Sequence, residues 1–289
     1  RRGIRMKFFP ENPILVYRPF HLNERNYLYL ADRGRIYGDV RLFDDQGTGI
    51  HFYTNREDTI ADQEMTVELS RIDLKQFKKV LPYLPDVEGW LGGSLHYVDS
   101  EGQMMLSADM NLDNFVYEKS PLGNWTMSGA YLPGDNNAHH VDGFITYNDQ
   151  EIIYMNGVYQ ADETGQENIT GELELQHFPL QVINPFIPEK MVGFTGDIDG
   201  TLSMTGSPMK PVLNGGLQLD SVLMIMPDMS VGFRFDNKQV KMQDSKMVFD
   251  KFNIYTRGET PFVVNGSVDF SDMEKMMVDL RMKTNNYEL

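Results

Sequence analysis

The sequence predicts an all-β protein, mainly antiparallel, built as a long curved open sheet whose apolar face forms a trough, with one or two short helical turns. Three observations carry that prediction. Apolar and polar residues alternate with a period of two through most of the chain. Turn-forming residues interrupt the alternation at intervals of roughly 8–12 residues, the spacing of an antiparallel meander. Helical periodicity is confined to two short segments.

The alternation is plainest over residues 104–113. Met104, Leu106, Ala108, Met110 and Leu112 fall on one face, and Ser107, Asp109, Asn111 and Asp113 on the other. It returns as Ile198, Gly200, Leu202 and Met204 against Asp197, Asp199, Thr201 and Ser203. It returns again as Val278, Leu280 and Met282 against Asp279, Arg281 and Lys283. Shorter copies sit at Met65/Val67/Leu69, Trp125/Met127/Gly129/Tyr131, Val141/Gly143/Ile145/Tyr147 and Leu217/Leu219. Turns such as Asp45-Gln46-Gly47, Asp99-Ser100-Glu101-Gly102 and Asp236-Asn237-Lys238 separate the runs. The pattern accommodates about 18 strands, which at ~4.8 Å spacing would stack to about 85 Å.

The first helical segment covers residues 74–84, with Leu74, Phe77, Val80, Leu81 and Leu84 at helical spacing and Pro82 limiting its length. The second holds Leu180, Ile183, Phe186 and Ile187, interrupted by Pro185. Each follows a strand, Val67-Glu68-Leu69 or Leu173-Glu174-Leu175. Each precedes a Pro stop (Pro85 or Pro188) and a Gly-rich strand, with Gly92, Gly93 and Leu95 in one and Gly196, Gly200 and Leu202 in the other. This weak repeat, about 67–170 and 173–289, predicts one elongated domain over residues 1–289 rather than a compact sphere.

Composition narrows the function. Hydrophobic residues are 41% of the 289, a globular value. A formal charge of −16 repels phosphate backbones and predicts no nucleic-acid partner. It also opposes simple docking on anionic headgroups. With no cysteine there is no disulfide framework and no thiolate ligand or nucleophile. No run of about 18 apolar residues spans a membrane. The chain opens Arg1-Arg2-Gly3 and ends Asn286-Tyr287-Glu288-Leu289, just after a strand-like run. The expectation is an internal piece of a longer chain, with targeting and anchoring segments outside it.

An apolar face on so many strands must be covered, by a second sheet, by barrel closure or by a ligand in an open trough. Nineteen Met residues bear on the choice, because Met suits surfaces that accept varied apolar ligands. An ordinary Met-filled core fits the same composition. Gly129, Gly143, Gly157 and Gly200 fall on the apolar faces of their strands, where Gly marks a bend or close approach.

Several further pieces occur in a fixed order. Phe178-Pro179-Leu180 precedes Phe186-Ile187-Pro188, then Gly196-Asp197-Ile198-Asp199-Gly200-Thr201-Leu202-Ser203-Met204-Thr205-Gly206. Lys210-Pro211-Val212-Leu213-Asn214-Gly215-Gly216-Leu217-Gln218-Leu219 follows, and Val263-Val264-Asn265-Gly266-Ser267-Val268 completes the unit. The stretch from Leu173 to Leu289 thereby resembles the repeat of the TamB/AsmA-like envelope proteins, particularly the TamB-like proteins of Bacteroides relatives. Residues 67–95 resemble a weaker copy. The resemblance implies an open β-trough with an apolar interior, an inner-membrane anchor and a body crossing the periplasm. It also implies an outer-membrane barrel partner reached through regions outside this chain. The implied role is phospholipid transport between membranes and outer-membrane biogenesis, with no cofactor.

The residues expected to line the trough and touch acyl chains are Met104, Leu106, Met110, Leu112, Met127 and Ile145 in the first half. In the second half they are Ile198, Leu202, Met204, Leu217, Leu219, Val278, Leu280 and Met282. No catalytic or metal-binding set is expected. His139-His140 point to opposite faces of a strand, Asp197-Ile198-Asp199 lacks the remaining ligands of a Ca²⁺ loop, and Gly89-Trp90-Leu91-Gly92-Gly93 lacks the Lys of a phosphate loop. Two non-enzymatic alternatives stand beside the conduit. One is a scaffold that templates outer-membrane strands by edge pairing. The other is a surface adhesin or glycan-binding module, which calls for clustered aromatics on the polar face.

Overall fold

The structure, a computed structural model, describes residues 3–9, 13–15, 18–54, 62–80, 82–161, 164–187, 192–256, 258, 260–272 and 275–285. It is all-β, and every strand pairing given below is antiparallel. Contacts divide the chain into two units, Arg1–Asp135 with Ile145–Gln150, and Asn136–Phe144 with Glu151–Leu289.

Unit 1 contains β1 (Gly3–Met6), β2 (Ile14–Leu15), β3 (Arg18–Pro19), β4 (His21–Leu22), β5 (Tyr27–Ala31), β6 (Ile36–Phe43), β7 (Gly49–Tyr53), β8 (Gln63–Asp73), β9 (Val87–Ser100), β10 (Gln103–Tyr117) and β11 (Ser120–Pro133). β2 and β3 pair only with each other. β1 pairs with β5, and both β4 and β5 pair with β6. From β6 to β11 each strand pairs with the next. Register keeps the two faces distinct. One row across β6–β11 reads Leu42, Ile50, Leu69, Gly93, Met110, Met127. The neighbouring row on the opposite face reads Arg41, His51, Glu68, Ser94, Asp109, Ser128. A slip of one residue in any strand would exchange these sets, so burial preferences hold the register.

The strand β12 (Ala138–Tyr147) is divided by the boundary between the units. Unit 2 continues with β13 (Gln150–Ala161), β14 (Glu167–Pro179), β15 (Gly193–Ser207), β16 (Lys210–Met226), β17 (Val231–Phe235), β18 (Gln239–Gln243), β19 (Lys246–Tyr255), β20 (Phe262–Asp269) and β21 (Met277–Lys283). β13 to β16 pair in sequence. β16 then pairs along its length with both β17 and β18, which both pair with β19, and β20 and β21 follow. A single apolar row runs Met155, Leu173, Leu202, Gly215, Met242, Met247, Val268, Val278.

The helical segments are short, as expected, and the first stops before the full 74–84 span of its sequence periodicity. The first is a 3-10 turn, Leu74–Gln76, running into one α turn, Phe77–Val80, and Leu81 lies outside the described residues. The second is a 3-10 segment, Leu180–Phe186, with Pro188 outside the described residues. Both come after a bulged strand and before a long strand, as the repeat in the sequence suggests.

Those bulges recur. β8, β10, β14 and β19 each advance three residues while the partner advances two, at Leu69/Ile72, Leu112/Phe115, Leu175/Phe178 and Phe249/Phe252. β16 does the same beside β15, and Leu219 and Val222 sit in one buried cluster. The second residue after the first apolar one is left-handed in every case: Arg71, Asn114, His177, Ser221 and Lys251 have φ of 48°, 51°, 45°, 53° and 47°. Four of the freed N–H groups are caught by a side chain. Asn124 Oδ1 accepts from Asn114 at 2.8 Å, Asp199 Oδ1 from His177 at 2.8 Å, Asn237 Oδ1 from Ser221 at 3.2 Å and Asn265 Oδ1 from Lys251 at 2.9 Å. Bulges bend a strand and raise its twist, so each catch fixes a point of curvature.

Glycine supplies the remaining bends on the apolar faces. Gly200 holds φ at +153°, and a Cβ there would meet Gly216 O at 2.2 Å. Gly93 in unit 1 holds +131°, with Asp109 O at 2.1 Å from the same position. Backbone atoms cannot move aside as a side-chain tip can. Gly200→Ala should therefore cost about 1–3 kcal/mol of stability by equilibrium denaturation, whereas Gly193→Ala, where no positive φ is needed and open space surrounds the position, should cost less.

Candidate functional site

The candidate site is the apolar face of each sheet, and the two units differ in how that face is filled. In unit 2 apolar side chains of neighbouring strands pack together into a buried core. Leu219 of β16, Val240 of β18, Phe252 of β19 and Val264 of β20 form one buried cluster with Leu180 and Val222. Phe249 and Phe235 meet Phe252 edge-on, with ring centroids 5.4 and 6.0 Å away. The 3-10 segment Leu180–Phe186 lies on this cluster, with Leu180 and Val182 buried and Ile183 packed against it. Asn184 fixes the segment by a two-way bond to Phe194, donating from Nδ2 to the carbonyl and accepting at Oδ1 from the N–H, both at 2.8 Å.

The expected lining residues of unit 2 are distributed through this packing. Leu202 and Leu217 form a second buried cluster with Met242, and Ile198 packs against both clusters. Leu219 belongs to the first cluster and Leu280 packs on it. Met204 is half-buried, in register with Gly171 and Leu213. Val278 and Met282 on β21 are 64% and 59% exposed. The middle of this face is thus a filled core, and its rim is open.

In unit 1 the corresponding face is more open. Leu106, Met110 and Leu112 are half-buried, and stand opposite Tyr131, Met127 and Trp125. Ile145 shares a strand face with Tyr147, whose ring lies 5.0 Å from that of Trp125. Met104 and Met127 are 43% and 46% exposed, and Ile50 and Leu95 on the same face are 45% and 41% exposed. The apolar surface is wider than the expected set, because Val40, Leu42, Ile50, Phe52, Val67, Leu69 and Leu95 join it through register. Their signal was the alternation in β6 and β8, which is as clear as in β10. The expected set also omits Val222, Val240, Phe252 and Val264, because β18 is short and the other three follow or lie next to bulges that break strict alternation.

The polar faces carry networks that hold register. In unit 1, Asn23 Nδ2 donates to Asp39 Oδ1 at 3.0 Å, and His51 stands between Asp39 (3.1 Å) and Glu68 (3.6 Å). Tyr53 donates to Glu68 at 2.9 Å, and that bond, with burial, raises its phenol above the ordinary value. In unit 2, Tyr154 donates to Asp142 at 2.7 Å and is raised by that bond in the same way. His139 packs on the Tyr159 ring at 5.9 Å while His140 is exposed. Among the described residues no group of three or more His, Asp or Glu is arranged to hold a metal, and no helix is long and apolar enough to cross a membrane.

Comparison with known proteins finds no matching family model, curated protein or solved structure.

The contrast between a filled and an open face is measurable. Leu219→Ala should cost about 2–5 kcal/mol, because it leaves a cavity in packed surroundings. Met127→Ala, at a half-exposed position, should cost roughly 1 kcal/mol or less. Urea denaturation of the two variants checks this, and equal losses would mean that the unit 1 face is packed as tightly as that of unit 2.

Proposed function

We propose that the apolar face of unit 1 binds acyl chains, and that the protein serves as a non-enzymatic conduit for them. The observation that carries this reading is the run of register-aligned apolar residues across β6–β11 with Ile50, Leu95, Met104 and Met127 left substantially exposed. Soluble proteins rarely leave a contiguous apolar surface uncovered without a partner for it. An acyl chain fits such a surface, gaining about 0.8 kcal/mol for each CH₂ removed from water. Met on the face adapts to chains of different length and unsaturation at little cost. Binding of this kind needs no base, nucleophile, metal or cofactor.

The ordered motifs between Phe178 and Val268 support placing the chain with the TamB/AsmA-like envelope proteins. On that reading the lipid is phospholipid moving between inner and outer membranes, and the compartment is the periplasm. An inner-membrane anchor and an outer-membrane barrel partner would then be engaged by regions outside this chain. The edge-templating alternative rests on main-chain hydrogen bonding rather than on the apolar face, so the two readings separate by experiment.

Mass spectrometry of organic extracts from the purified protein should recover acyl lipid, and a fluorescent fatty acid should bind and be displaced by it. Leu95→Asp and Met127→Asp should each reduce fatty-acid affinity about tenfold or more, since each places a charge on the path of the chain, while the far-UV circular dichroism stays that of the parent. Unchanged affinity in both folded variants would remove the lining assignment.

A further inference from the structure

The apolar face of unit 1 ends in a polar row. Beyond the row Met65–Tyr97–Leu106, register places Gln63, Asp99 and Met104 side by side on β8, β9 and β10. A pocket of about 290 Å³ opens there, walled by Ile36, Met65 and Tyr97 and edged by Arg35, Asp62 and Asp99. Two of its polar groups are already engaged. Gln63 is bonded both ways to the Ile36 backbone, accepting from the N–H at 2.7 Å and donating to the carbonyl at 2.6 Å. Arg35 is paired with Asp62. Asp99 is different, because its Oδ1 is closed off from solvent and has no hydrogen-bond donor among the described residues. A carboxylate oxygen in that position has lost its water and received nothing in exchange, which is costly until a donor arrives.

We propose that this pocket receives the primary ammonium group of an amphiphile whose chain lies along the adjoining apolar face. The inference rests on the acyl-chain reading above and names the head that such a chain carries. Charge selects a cation, because the lining holds one guanidinium against two carboxylates. The missing donor selects a primary amine over a quaternary one, because an ammonium offers N–H groups to Asp99 and a trimethylammonium offers none. Asp99 lines the pocket, so its carboxylate is a group that an ammonium there would meet. The position selects an amphiphile over a free amine, because the pocket is continuous with the row of Met65, Tyr97 and Leu106. Ile36, Met65 and Tyr97 would cover the methylenes next to the nitrogen.

Calorimetric titration of the full chain with dodecylammonium and dodecyltrimethylammonium, each below its micelle concentration, tests the proposal. Dodecylammonium should bind about tenfold tighter or more. Asp99→Asn, which keeps the shape and removes the charge, should bring the two to equal affinity without weakening the trimethylated probe. Equal affinity in the parent protein, or a preference that survives Asp99→Asn, would overturn the proposal while leaving chain binding intact. Failure of both probes to bind would sink the chain-binding reading and this one together. N-acetyl-lysine amide supplies the same ammonium from a polypeptide source, and if it bound as tightly as dodecylammonium the amphiphile would be the wrong source. The ratio in the parent protein decides the matter by itself if Asp99→Asn does not fold.

Discussion

Each long strand has to keep its apolar residues on one face while the sheet bends, and the caught bulge is the interaction that reconciles the two demands. A strictly extended strand would stay nearly straight for its 14 to 17 residues in the longest cases. Inserting one left-handed residue bends it, and would by itself throw every later side chain to the wrong face. The sequence compensates by spacing apolar residues three apart at these points, as at Leu112/Phe115 and Leu175/Phe178. The Asn or Asp across the ladder then accepts the displaced N–H, as Asn124 and Asp199 do. Burial, register and curvature therefore depend on the same few positions.

The difference between the units lies in how each apolar face is packed. In unit 2, β16 branches to β17 and β18, both of which join β19, and Leu219 and Val240 are buried in one cluster with Phe252, Val264 and Leu180. The 3-10 segment is tied to β15 by Asn184 and fills what space is left. In unit 1 the equivalent segment, residues 74–80, carries ion pairs from Lys75 to Glu88 and from Lys78 to Asp86. No residue of its first turn is buried. On the apolar face of β6–β11, Ile50, Leu95, Met104 and Met127 remain substantially exposed.

Much of this was legible in the sequence. The period of two in residues 104–113 and 198–204 returns as one face of β10 and of β15, because nothing in those stretches disturbs the alternation. The segment at Leu180 was legible as short and apolar from its spacing and Pro185. What escaped was the effect of non-local packing. Leu202, Leu217 and Leu219 carry the same alternating signal as Leu106 and Leu112, yet they are buried at 5–8% exposure in a filled core. Whether a face is filled or open depends on the side chains that neighbouring strands and the segment at Leu180 bring to it, and alternation within one strand contains no record of that. Asp99 escaped for a related reason. In sequence it belongs to a polar turn, Asp99-Ser100-Glu101-Gly102, and only register shows that it shares a face with Met65, Tyr97 and Leu106.

The most direct test of a lipid-binding face is to find where a bound chain lies. A fatty acid carrying a diazirine near its methyl end, cross-linked to the purified protein and mapped by peptide mass spectrometry, would mark the side chains that it touches. Chain binding on the open face predicts adducts on apolar-face residues of β7 to β11, such as Ile50, Leu95 and Met127. Adducts concentrated on the opposite face, at His51, Asp109 or Ser128, would contradict it.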